Sequence, residues 1–226
     1  MKENKIWNDY LPEDMQEHWT VYECLKESED SSTFLVKETA TGILCVLKWG
    51  RNRQAEFLRN EMEIMEKMAD RKLSGIPKTY RIFEENGEVY LVREYIEGMS
   101  LAQMVLQKGG ISEAEICRIS RKICQTAEQF QNPDEPMIHR DIKPENIVVT
   151  PGGEVVFIDF GTMRSYKKDG SRDTFVVGTR GTAAPEQYGY TQTDQRTDVY
   201  AIGQTMLYMV SESYEMNQLS ECAVSR

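Results

Sequence analysis

The chain has 226 residues, 40% of them hydrophobic and 28% charged, with a formal net charge of −10 at pH 7; that is enough to bury a sizeable core in one two-lobed domain or two small ones. The acidic excess argues against nucleic acid or an anionic membrane surface as the main partner and otherwise reads as a solvated surface. Five cysteines (24, 45, 117, 124 and 222) form no CxxC pair, two histidines cannot build a histidine-rich metal site, no apolar run reaches the roughly 18–20 residues of a membrane span, and Met1–Lys5 leads into no signal-peptide core, so the expected compartment is the cytoplasm.

Residues 1–18 form a polar extension in which Trp7, Tyr10 and Leu11 are candidate anchors. Strand-like runs follow at 19–26, 33–37 and 43–48, the last two joined by the turn-type segment 38–42. Residues 53–69 place Phe57, Leu58, Ile64, Met65 and Met68 at helical spacing. Two further strands are expected over 76–83 and 88–94, turning at Asn86-Gly87. Ser112 and Glu115 have the spacing of a capping box, and Ile116, Ile119, Ile123, Ala127 and Phe130 continue as a core-facing stripe. Cys117 and Cys124 on that helix read as small buried hydrophobes. A breaker-rich loop, 132–136, ends the helix.

Next comes His139-Arg140-Asp141-Ile142-Lys143-Pro144-Glu145-Asn146, then a short hairpin (147–149 and 155–158 around Thr150-Pro151-Gly152-Gly153) and Asp159-Phe160-Gly161. One loop thus carries an acid, a lysine and an amide, with a second acid close behind. Phosphoryl transfer needs that set: a carboxylate for the proton of the attacking hydroxyl, a cation for the moving charge, and oxygen donors for Mg²⁺. These motifs, with Ala184-Pro185-Glu186 further on, resemble those of eukaryotic-like serine/threonine protein kinases of the bacterial type.

The resemblance implies an α+β, two-lobed kinase fold: a β-rich N-lobe over 19–94 after the extension 1–18, and a mainly helical C-lobe over 95–226. It implies ATP and Mg²⁺ as cofactors and a protein Ser/Thr hydroxyl as acceptor. Asp141 is then the catalytic base, Lys143 the cation on the transferred phosphoryl, and Asn146 and Asp159 the metal ligands. Lys48 would hold the phosphates through an ion pair with Glu61, or with Glu63 as second choice. Backbone groups of Glu94 and Ile96 would meet the adenine edge, and Arg93 stands where the family more often has a hydrophobic residue. His139 is expected to shape the loop, Arg140 to dock a phosphorylated segment, and Asp198 to brace the catalytic loop. Between Asp159-Phe160-Gly161 and Ala184-Pro185-Glu186, Thr179 is expected against Asp141 and Lys143, and Thr174, with Ser171 behind it, is the candidate phosphosite.

Two features depart from the family pattern. No glycine lies between Trp19 and Thr41, and the expected phosphate-covering loop instead holds Glu27, Ser28, Glu29, Asp30 and Ser31, where acids would repel phosphates. The chain also stops soon after the helix containing Asp198, which predicts a shortened C-lobe, a partner or missing segment over its helices, partial exposure of Met206, Leu207, Met209 and Val210, and no arginine from a later helix for Glu186. The alternative function is a pseudokinase-like nucleotide-binding or scaffolding module.

Overall fold

The strand-forming runs in the first half of the chain produce a sheet whose central strands are buried on both faces. In this computed structural model, which describes residues 11–69, 71, 73–108, 111–131, 135–166, 177–179, 181–188 and 192–211, strands β1 (Trp19–Glu27), β2 (Ser31–Glu38), β3 (Leu44–Gly50), β4 (Thr79–Glu85) and β5 (Glu88–Glu94) form one antiparallel sheet in the order β1-β2-β3-β5-β4. Cross-strand partners share a face. Phe34 opposite Leu47 and Val36 opposite Cys45 therefore line one face, where Leu47 and Val36 are fully buried with Tyr90 and Val92. Lys48 opposite Leu91 and Val46 opposite Arg93 line the other.

The first face is closed by the N-terminal extension. Pro12 precedes the single turn α1 (Glu13–Gln16), which sets Met15, with no exposed surface, and Leu11 into the cluster around Trp19. Leu11 is thus an anchor, while Trp7 and Tyr10 lie outside the described residues. The second face receives α2 (Arg53–Ala69), whose Ala55 and Leu58 pack with Val89 and Leu91. Asn86 (φ 51°) and Gly87 (φ 83°) both take left-handed backbone, as a two-residue turn between right-twisted strands requires. Strand β4 begins at Thr79, later than the expected 76, after Pro77, which has no N–H to give a ladder.

The chain divides into two compact units, residues 1–66 with 77–95, and residues 67–76 with 96–226. The second unit is built on α3 (Leu101–Lys108), α4 (Glu113–Glu128) and α5 (Gln195–Ser211), with short ladders pairing β6 (Met99–Ser100) to β8 (Ile147–Val149), β8 to β9 (Val155–Phe157), and β7 (Met137–Ile138) to β10 (Arg164–Ser165). Ser112 caps α4 by accepting the Glu115 N–H at 3.4 Å. The reciprocal half of the capping box is absent, because the Glu115 carboxylate is taken by Lys108 at 2.9 Å and Arg118 at 3.4 Å.

The inner stripe of α4 is buried at Ile119, Ile123 and Ala127, with Phe130 beyond its end. Cys117 and Cys124 are exposed, contrary to the expectation of buried cysteines. Seven residues is nearly two turns, so the pair shares a face, and that face lies about half a turn from Ile119 and Ile123. On α5 the expected exposure holds for Met206 (38%) and Val210 (52%) but not for Met209, which is 1% exposed because it falls on the buried line of Ala201, Ile202 and Thr205. Among the described residues no helix is long and apolar enough to cross a membrane.

Candidate active site

In the first unit, Lys48 on β3 and Glu61 on α2 meet in a two-pronged ion pair. Lys48 Nζ donates to Glu61 Oε1 at 2.9 Å and Oε2 at 2.7 Å. Lys48 is 9% and Glu61 1% exposed. The choice left open between Glu61 and Glu63 is a matter of helical phase. Glu61 faces the sheet with Leu58 and Met65, whereas Glu63 lies on the exposed side of α2. Of the expected base-edge groups, the Glu94 N–H donates to the Lys78 carbonyl at 2.8 Å, and its carbonyl accepts Nη1–H of Arg93 at 3.0 Å. Ile96 is half-buried and belongs to the second unit.

The loop between β1 and β2 needs no glycine in its observed form. None of residues 27–31 has positive φ. Ser28 closes the turn, its N–H and hydroxyl both donating to the Ser31 carbonyl at 2.8 and 2.9 Å. Asp30 is tied to the β3–α2 junction by Arg51 Nε at 2.8 Å and Asn52 Nδ2 at 3.1 Å. Arg51 also reaches the Glu29 carbonyl at 3.0 Å.

In the second unit the catalytic loop runs from β7 through Arg140, held at φ 67°, to a tight turn at Pro144–Asn146. Proline at its first position fixes the required backbone angle. The turn delivers Asn146 against Asp141. Its side-chain N–H₂ donates to the Asp141 carbonyl at 3.0 Å and to Oδ2 at 2.9 Å. Lys143 Nζ stands 2.8 Å from Asp141 Oδ2. Thr179 completes a triangle: its hydroxyl donates to Asp141 Oδ1 at 2.7 Å and accepts from Lys143 Nζ at 2.7 Å. Asp141, Lys143 and Thr179 are therefore in mutual contact.

The hairpin of β8 and β9, in register at Ile147/Phe157, Val148/Val156 and Val149/Val155, brings the second acid in. The Ile158 N–H donates to the Asn146 backbone carbonyl at 3.0 Å, just before Asp159. Asp159 Oδ1 accepts the Gly161 N–H at 3.3 Å. The side-chain oxygen of Asn146 and the Asp159 carboxylate are both hard oxygen donors. Two such donors fit Mg²⁺, which fills its shell with water and substrate phosphate oxygens.

The loop is held from below. Asp198 Oδ2 and Oδ1 accept the His139 and Arg140 N–H groups at 2.8 and 2.9 Å. Burial pushes the Asp198 carboxyl up to about 6 despite those two amides. His139 is completely buried among Phe130, Phe157 and Phe160, and that burial drives its pKa down to about 4. Its Nδ1 accepts the Asp141 N–H at 3.4 Å. The ring is a neutral shaping element, as the sequence suggested. Arg140 Nε donates to the Thr162 carbonyl at 2.6 Å, and the Thr162 hydroxyl donates to the His139 carbonyl at 3.0 Å.

Gln187 had no role in the sequence reading. It is 4% exposed; its Nε2 donates to the Arg140 carbonyl at 2.7 Å and the Val177 carbonyl at 3.0 Å, while Oε1 accepts the Ala184 N–H at 2.9 Å. No periodicity marks such a residue, because its function is to satisfy backbone groups from two distant loops. Glu186 Oε1 accepts the Thr197 hydroxyl at 2.6 Å, a partner from α5 itself. Thr174 and Ser171 lie outside the described residues.

The protein kinase domain family matches residues 20–222. A serine/threonine-protein kinase D of Synechocystis is 32% identical over 164 residues, covering 70% of this chain and 31% of that protein. A serine/threonine-protein kinase B of the same organism is 32% identical over 146 residues (60% and 25%), and a serine/threonine-protein kinase PknA of Nostoc is 30% identical over 164 residues (69% and 28%). The chain thus spans about a third or less of these relatives' length. With an antiparallel sheet carrying the Lys48–Glu61 pair and a catalytic loop of this form, the chain belongs to the protein kinase family, in its bacterial, eukaryotic-like serine/threonine branch.

Proposed function

We propose that the chain transfers the γ-phosphoryl of Mg-ATP to serine or threonine hydroxyls of a protein. The observation that carries this reading is the Asp141–Lys143–Thr179 triangle, in which a threonine hydroxyl already donates to Asp141 while accepting from Lys143. An incoming substrate hydroxyl would use the same two groups: Asp141 accepts its proton as the oxygen attacks, and Lys143 offsets the charge on the moving phosphoryl. Lys48, fixed by Glu61, would hold the nucleotide phosphates. Asn146 and Asp159 would hold Mg²⁺, which would supply positive charge to offset that of the phosphates. Glu94 and Ile96 would border the base.

A second reading, a nucleotide-binding module without phosphotransfer, draws on the acidic β1–β2 loop pinned by Arg51. Both are tested by intact mass after incubation with Mg-ATP, beside Asp141→Asn. Phosphate on the parent alone supports the kinase. Mg-ATP binding with no mass gain in the parent supports the binding module.

A further inference from the structure

The first face of the sheet carries a cavity that no residue of the proposed active site lines. Its volume is about 350 Å³, within the roughly 300–1,000 Å³ of small-molecule sites. The described residues that line it all belong to the first unit. Cys45 and Val92 form the floor, at 3% and 0% exposure. Trp19 forms one aromatic wall, packed edge-on against Phe83 with 5.5 Å between ring centroids, and Tyr80, 47% exposed, forms another. Glu38 is the acid of the cavity and is half-buried. Its Oε2 accepts the Thr41 hydroxyl, while Oε1 makes no hydrogen bond or ion pair among the described residues.

We propose that this cavity binds a small organic ammonium ion with an aromatic or branched apolar body. The ammonium would donate to Glu38 Oε1 in a charge-assisted hydrogen bond. The rings of Trp19 and Tyr80 beside it favour a cation, and the apolar body would displace water from Cys45 and Val92. Two basic side chains, His18 and Arg81, also border the cavity, and neither pairs with Glu38. The Arg81 guanidinium lies instead over the Phe83 ring, 5.9 Å from its centroid. Acids set the sign of the potential within. Burial and then the Glu38 charge push the Cys45 thiol up; burial and then Glu94, with Cys45 and Glu38 behind, push the Tyr80 phenol up. A ligand carboxylate would meet Glu38 as a like charge.

The test is calorimetry on the full chain, in a buffer free of amines, with 2-phenylethylammonium and 3-phenylpropionate. These probes share an apolar body and carry opposite charges. The ammonium is expected to bind about tenfold or more tightly than the carboxylate. Glu38→Gln keeps the shape, removes the charge and should abolish that preference. Tyr80→Ala, at a half-exposed position, should weaken the ammonium roughly two- to fivefold, and it serves as the check should the glutamine variant misfold. A preference for the carboxylate, a preference for the ammonium that survives Glu38→Gln, or binding of neither probe to the wild type would overturn the proposal. Mg-ATP affinity should be the same in Glu38→Gln as in the parent, so this site and the nucleotide reading stand or fall separately.

Discussion

The Asp198 carboxylate accepts the backbone N–H of His139 at 2.8 Å across 59 residues of sequence. The two side chains titrate with opposite effects on stability. His139 is lowered from 6.5 to about 4 by burial, so its contribution is complete above pH 6.5 and is lost as pH falls toward 4, where the unfolded chain binds a proton that the folded chain refuses. Asp198 is raised from 3.8 to about 6, so stability falls as pH rises from about 4 to 6, while the unfolded chain ionises first. Each shift corresponds to about 3 kcal/mol.

Urea unfolding from pH 4 to 7 therefore has a defined outcome. The stability of wild type minus that of His139→Phe should rise with pH across about 4 to 6.5. Wild type minus Asp198→Asn should fall across about 4 to 6. Parallel profiles for all three proteins would mean that neither group titrates as its burial implies.

Removing either partner of the Lys48–Glu61 pair leaves a charge under the sheet that has lost its closest counter-ion. Glu61→Gln and Lys48→Met should each cost about 3 kcal/mol, and the double variant less than their sum. Glu63→Gln should stay within about 0.5 kcal/mol, as an exposed position would. A full double-mutant cycle by chemical denaturation checks all three.

Thr179 joins Asp141 to Lys143, so Thr179→Ala should lower kcat for phosphotransfer by about tenfold or more, in the range of general acid–base positioning, with nucleotide KM little changed. Thr179→Ser keeps the hydroxyl and should retain most of the rate. If Thr179→Ala instead matched the parent in steady-state kinetics, the triangle would be structural only.

Gln187→Leu would strand the Arg140 and Val177 carbonyls and the Ala184 N–H. The expected loss is about 2–3 kcal/mol of stability, accompanied by faster hydrogen exchange in both the catalytic loop and residues 181–188. Equal exchange rates in the two proteins would show that Gln187 does not couple the segments.

Packing against the sheet gives a further stability test. Met15→Ala should cost about 2–4 kcal/mol despite lying in a one-turn helix of a polar extension, because its side chain has no exposed surface in the cluster with Trp19 and Leu47. A thermal melt within a degree or two of wild type would count against that anchoring role.

Much of this was legible in the sequence. Strand-like runs bounded by turn segments located all five strands of the first sheet, and a 3.6-residue period placed α2 at its observed bounds. Asn86-Gly87 fixed one hairpin, and contiguous motif residues fixed the catalytic loop, because their chemistry is local. Cys117 and Cys124 were misread because hydrophobic type alone does not tell which helix face meets a neighbour. Met15 and Gln187 could not be found for a related reason: one is anchored by a surface assembled from four strands, the other by carbonyls 10 and 47 residues away. The turn at Ser28 shows the same division. Composition revealed that glycine was missing, and only the folded chain revealed that Ser31, Arg51 and Asn52 hold the loop without it. Spacing along the chain determines local periodicity and the chemistry a loop can carry. Which face is covered, and which backbone groups are satisfied at long range, is decided when distant segments pack, because burial and hydrogen bonding depend on neighbours that the linear order does not specify.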